Sequence, residues 1–159
     1  MGKFKIIPLS KEYVNRIRTE MKDDFGHEVI EQLATGYGPC RISLKPFRPR
    51  IDKRLLFSYS PFEIDNAFNQ SGPIFINSKE VEEYVDVNRF PPEIKMDKVN
   101  FPLTLIGYSS DQQMIFSRLV GDDDVDELIE KIFEEKKEIE YLHARNAEPA
   151  CFICKIERI

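Results

Sequence analysis

Cys40, Cys151, Cys154 and His143 are residue types that ligate zinc, and a thiol beside an imidazole is also the beginning of a nucleophilic pair, with His143 activating Cys40 or Cys151. Spacing works against the metal. If Cys151 to Ile159 is a straight strand, residues three apart point to opposite faces and lie roughly 10 Å apart, beyond the ~7 Å that a disulfide spans. Only a bulge or a turn there brings Cys151 and Cys154 together. The expectation is therefore no metal and no cofactor. Cys154, between Phe152 and Ile156 on one face, reads as core, and the three cysteines read as thiols of a reducing cytoplasm.

A second constellation is polar. Tyr141, His143 and Arg145 alternate along one face of a strand, with Asn146 on the other face at its end. A planar guanidinium suits a carboxylate or a phosphate. Arg145 with Arg41 thus frames a candidate site for a small anionic ligand, with Tyr59 and Asn77 as orienting hydrogen-bond groups. The ligand-binding set is Arg41, Tyr59, Asn77, His143, Arg145 and Asn146. The plain alternative is structural: Arg145 paired with a Glu such as Glu157, and His143 a partly buried imidazole bonded to a neighbour.

The elements that must position these residues are arranged around Arg54 to Ser78. Leu55, Phe57 and Tyr59 alternate with Leu56, Ser58 and Ser60, the period of a half-buried strand that stops at Pro61. Gly72 to Asn77 is a short apolar run that reads as a strand covered on both sides. Between them, Ser60-Pro61-Phe62-Glu63 has the form of a capping box, which predicts a brief helical turn reaching Asn69.

Upstream, Lys3 to Leu9 reads as a strand and Ser10 as the cap of a helix whose inward stripe is Tyr13, Val14, Ile17 and Met21, with Leu9 and Val14 as a hydrophobic staple. His27 to Leu33 fits a short helix or a strand, ended by Gly36, Gly38 and Pro39. Cys40 to Leu44 is a strand candidate. Downstream, Ser78 to Val85 reads as a second capped turn, and Pro91-Pro92 as an irregular passage. Pro102 to Ser109 and Met114 to Val120 predict a hairpin. Asp122 to Asp124 cap a helix with the stripe Val125, Leu128, Ile129, Ile132 and Phe133. Ile139 to Ala147 and Cys151 to Ile159 form a second hairpin about Glu148-Pro149. The sum is α+β: one domain over residues 1–159 with a mainly antiparallel sheet and a few packed helices.

Four segments resemble a known bacterial family, the domain of unknown function 1203. They are Gly38-Pro39-Cys40-Arg41 with Leu44; Phe57-Ser58-Tyr59-Ser60-Pro61-Phe62; Gly72-Pro73-Ile74-Phe75; and His143-Ala144-Arg145-Asn146 with Cys151-Phe152-Ile153-Cys154 and Glu157-Arg158. The family carries no assigned function. In its pattern a second Cys commonly stands where this chain has Ser43, and an acid and a His commonly flank Gly-Pro-Ile-Phe where this chain has Gln70 and Asn77. The resemblance therefore implies a binding pocket here rather than a metal or acid/base centre.

Apolar content of 42% with twelve Phe and six Tyr excludes a disordered chain. No apolar run approaches the ~18 residues of a membrane span. Met1-Gly2 begins a myristoylation pattern that Ile6 breaks, so lipidation is not expected. The net charge of −5 conceals a division: Gly121 to Glu140 holds ten acids and three lysines, and the remainder carries +2. Six basic residues against Asp52 between Arg41 and Arg54 make a basic loop, without the basic domain and reading element of a nucleic-acid binder. Phosphate-loop, dinucleotide, nucleophile-elbow and His-Glu-x-x-His motifs are absent. Three readings remain: an anion-binding domain, a thiol- or metal-dependent enzyme built on His143 with Cys40 or Cys151, and an interaction module presenting the acidic helix or a sheet edge. None of these residues sets the number of subunits.

Overall fold

A computed structural model describes residues 3–159; Met1 and Gly2, where the lipidation pattern begins, lie outside the described residues. Two antiparallel sheets form. The larger has the order β1 (Phe4–Ile7), β8 (Phe152–Arg158), β7 (Tyr141–Asn146), β5 (Leu103–Tyr108), β6 (Met114–Leu119), and the smaller has β2 (Ile30–Leu33), β3 (Lys53–Tyr59), β4 (Gly72–Asn77). With helices α1 (Lys11–Glu20), α2 (Pro92–Lys95) and α3 (Val125–Glu135), this is the α+β class expected.

Helix α3 forms because Asp124 caps it, accepting from Glu127 N at 3.0 Å, and because all five stripe residues are buried against one face of the larger sheet. Each such side chain contributes about 2 kcal/mol on burial. Leu105, Leu142, Cys154 and Ile156 supply the opposite wall of this first core. Helix α1 is capped by Ser10, which accepts from Tyr13 N at 3.1 Å, and it sends Val14 and Ile17 into a second core with Leu55 and Phe57 of β3 and Ile74 and Ile76 of β4. Met21 ends that helix in the left-handed region at φ 52° and is 37% exposed, so it leaves the expected stripe.

Of the two alternatives for His27 to Leu33 the strand forms, because Ile30–Leu33 finds a partner in β3. Several other local expectations are corrected. Cys40 to Leu44 is a turn: Leu44 N donates to Cys40 O, Cys40 N donates to Lys45 O, and Leu44 sits at φ 52°. Strand β4 is fully buried on one face, through Ile74 and Ile76, and only partly covered on the other, where Phe75 lies beneath Arg54 and against Phe47. Neither capped turn becomes a helix. Residues 78–85 are irregular, held by Ser78 N to Lys53 O and Tyr84 N to Ile42 O. Among the described residues the one extra helix starts at Pro92, whose fixed φ suits a first helical position.

One irregularity matters for the site. The β7–β8 register runs Ala144 with Cys154 and then Arg145 with Phe152, so Ile153 is the extra residue of a bulge. Without it Phe152 would share the core face of Cys154. Instead Ile153, Cys154 and Ile156 enter the first core, and Phe152 turns to the second.

Candidate functional site

The face of the larger sheet turned away from α3 is lined, pair by pair, by Thr104 beside Arg145, Ile106 beside His143 and Tyr108 beside Tyr141. His143 is 0% exposed. Its ring sits inside an aromatic box, with ring centroids at 4.9 Å (Tyr108), 4.9 Å (Phe152), 5.0 Å (Phe62) and 5.2 Å (Tyr141). Neither imidazole nitrogen has a hydrogen-bond partner among the described residues. Burial, with the charges of Arg145 and Lys155 added to it, drives its pKa down to about 2, so the ring is neutral.

Arg145 lies next along the strand and is 7% exposed. Its Nη1 donates to Ala150 O at 3.2 Å, while Nε and Nη2 are buried and unpartnered. These two nitrogens occupy one edge of the guanidinium with parallel N–H bonds, the arrangement that takes a carboxylate or phosphate bidentately. The expected structural partner is elsewhere: Glu157 sits opposite Tyr141 and pairs with Lys155 at 3.0 Å. The Tyr108 hydroxyl is also buried and unpartnered. Burial pushes its pKa up, and Arg145 is near enough to oppose that shift, although no Arg145–Tyr108 bond of normal geometry forms.

Arg145 opens on a cleft of about 470 Å³ between the two sheets, lined also by Tyr59, Gln70, Ser71, Gly72 and Cys151. Tyr59 packs on Phe152 at 5.8 Å between centroids, and burial raises its hydroxyl pKa. The roof is the β3–β4 loop, residues 60–71. In place of the predicted helical turn it is an irregular strap, because Gln112 in the β5–β6 turn competes for its backbone. Gln112 accepts from Ile64 N at 2.9 Å and donates to Ile64 O at 2.6 Å and to Asn69 Oδ1 at 2.7 Å. We expect Gln112→Ala to cost about 2 kcal/mol and to speed amide exchange at Ile64 by at least tenfold in hydrogen-exchange mass spectrometry. Unchanged protection there would show that the strap holds without Gln112.

Arg41 lies beneath the cleft and is 2% exposed. Its Nε donates to Phe152 O at 2.7 Å, and its Nη1 donates to Pro39 O. Burial lowers its pKa to about 10, opposed by the neighbouring thiols of Cys151, Cys40 and Cys154 in that order.

The structure thus brings Tyr59, His143 and Arg145 to one region with Arg41 behind them. It separates the other two expected ligand residues. Asn77 is opposite Arg54 in the β3–β4 register whereas Tyr59 is opposite Gly72, so the two stand at opposite ends of the smaller sheet. Asn77 N donates to Cys40 Sγ at 3.2 Å. Asn146 works in the hairpin turn, its side chain accepting from Glu148 N and donating to Asn100 O. As for the thiols, Cys40 and Cys154 are buried and Cys151 is partly exposed, all three free. No thiol hydrogen-bonds His143, and among the described residues no three His, Cys, Asp or Glu side chains gather to hold a metal.

A family model described as "Protein of unknown function (DUF1203)" matches residues 37–158. The chain belongs to the DUF1203 family. The matched span holds every residue of the box, the cleft and the strap, and it begins after α1 and β2. No curated protein and no solved structure matches this DUF1203 chain. No helix among the described residues is long and apolar enough to cross a membrane.

Sequence reasoning missed Tyr108 and Gln112. Tyr108 had a signal: it shares parity with Thr104 and Ile106, against the core residues Leu103 and Leu105. Gln112 had none, being one polar residue in a polar turn.

Proposed function

We propose that this chain binds a small carboxylate-bearing molecule in the cleft between its two sheets, with the Nε/Nη2 edge of Arg145 taking the carboxylate and Tyr59 closing one side. A single observation carries the reading: a guanidinium nine-tenths buried whose bidentate edge meets no acid among the described residues. Burying a charge is costly without a counter-charge, and a ligand anion supplies one. His143 beside it on the strand face is neutral inside its aromatic box and adds no second positive charge. The same reading takes the protein as cytoplasmic and bacterial, working on a small molecule and not on nucleic acid.

The test is calorimetric titration with succinate, citrate, 2-oxoglutarate and inorganic phosphate on the wild type, Arg145→Lys and Arg145→Ala. A charge-assisted bidentate contact is worth roughly 1.5 to 3 kcal/mol. The lysine variant should therefore bind at least tenfold more weakly than the wild type, and the alanine variant not at all, with both still folded by circular dichroism. No binding of any probe by the wild type, together with a melting temperature lowered by either substitution, would return Arg145 to a structural role.

A further inference from the structure

We infer that Cys151 is a site of mixed-disulfide formation with anionic low-molecular-weight disulfides, which Arg145 holds by a carboxylate while Cys151 exchanges with their sulfur. The inference rests on the carboxylate reading of the same cleft and adds a covalent outcome to it.

Three observations converge. Cys151 is partly exposed and lines the cleft, whereas Cys40 and Cys154 are buried. Arg145, nine-tenths buried with two unpartnered donors, lines that same cleft. The two residues are also fixed to each other through the backbone. Arg145 Nη1 donates to the carbonyl of Ala150, the residue before Cys151, Asn146 N donates to Cys151 O at 3.0 Å, and Ala150 adopts φ 64° to make the turn between them. The thiol is thus presented from the rim of the pocket that holds the guanidinium.

The chemistry closes without another reagent. The Cys151 thiol loses its proton to solvent, and its sulfur attacks one sulfur of the small disulfide. That S–S bond breaks as the new one forms, and the leaving thiolate takes up a proton as free thiol. The small disulfide is the oxidant, one half of it being released reduced. A molecule such as glutathione disulfide fits the requirement for carboxylates beside a disulfide. Cystamine offers the same reactive bond with positive charges.

The experiment is intact-mass spectrometry of the native protein incubated with glutathione disulfide or with cystamine. The expected result is one glutathionyl adduct on the wild type, mapped to Cys151 and absent in Cys151→Ser. In Arg145→Gln the glutathione disulfide rate should fall about tenfold, the value of one lost charge-assisted contact, while the cystamine rate should not fall. No adduct on the wild type, an adduct mapped to Cys40 or Cys154, or equal slowing of both reagents in Arg145→Gln would overturn the inference. The carboxylate titrations on the untreated wild type use probes that hold no sulfur. A protein that binds succinate and takes no adduct loses this inference and keeps the proposed function.

Discussion

Replacing Arg41 by Ala lowers the unfolding free energy by about 3 to 5 kcal/mol, although Arg41 makes no ion pair with a carboxylate among the described residues. Its value is as a bracket. Nε holds the carbonyl of Phe152 on β8, and Nη1 holds that of Pro39, so one side chain ties the 37–44 turn to the larger sheet. Truncation leaves two buried acceptors unpaired, at about 1 to 3 kcal/mol each, and a gap between the cores. Arg41→Met keeps most of the volume and removes the charge whose burial drives its pKa down to about 10. It should cost distinctly less than Ala, because both variants lose the guanidinium and its desolvation penalty but Met keeps the packing that Ala gives up. Urea unfolding of both variants measures the difference. Equal losses would mean that the two carbonyl bonds alone carry the effect, and a loss under about 1 kcal/mol for Ala would mean that they carry none.

His143 makes the fold sensitive to mild acid. Its pKa in the folded chain is about 2, far below the ordinary value of 6.5. The unfolded chain therefore takes up a proton that the folded chain refuses. Stability is full above pH 6.5 and falls by up to about 1.4 kcal/mol per pH unit as the pH drops toward the folded value. Between pH 6.5 and about pH 4.5 the loss approaches about 3 kcal/mol. The lowered carboxyl groups, among them Asp23, held by backbone N–H groups of Ser58, His27 and Phe25, start from an ordinary value of 3.8 and add their losses in stronger acid. His143→Leu should flatten the slope of unfolding free energy against pH in that milder window. If the wild-type slope there is already flat, the ring is open to protonation in the folded protein and the box is not closed.

What could be read from the residues follows from which interactions are local. Helix α3 and both hairpins were legible because cap, stripe and turn lie within a few residues of one another. The face shared by Tyr141, His143 and Arg145 followed from alternation alone. The regions that misread were those where a distant partner outbid a local signal. Ser60 to Glu63 carries a capping box, yet the strap answers to Gln112, and Cys40 to Leu44 has strand-like residues but is bent between Leu9, Phe75 and Lys45. Asn77 and Tyr59 read alike as orienting hydrogen-bond groups, and only the antiparallel register reveals that they stand at opposite ends of the smaller sheet. The Ile153 bulge has no marker among its neighbours, since every residue from Phe152 to Cys154 suits either face.

Gln112 is as deeply buried as the core leucines, at 1% exposed, and it touches the strap through Ile64 and Asn69 while Asn66 reaches back to the carbonyls of Asp111 and Gln112. Two loops more than forty positions apart are therefore spelled as one word. A substitution at Asn69 is expected to change the cost of one at Gln112, since the two side chains bond each other. The roof of the cleft is thus held in part from a hairpin turn that lies outside it.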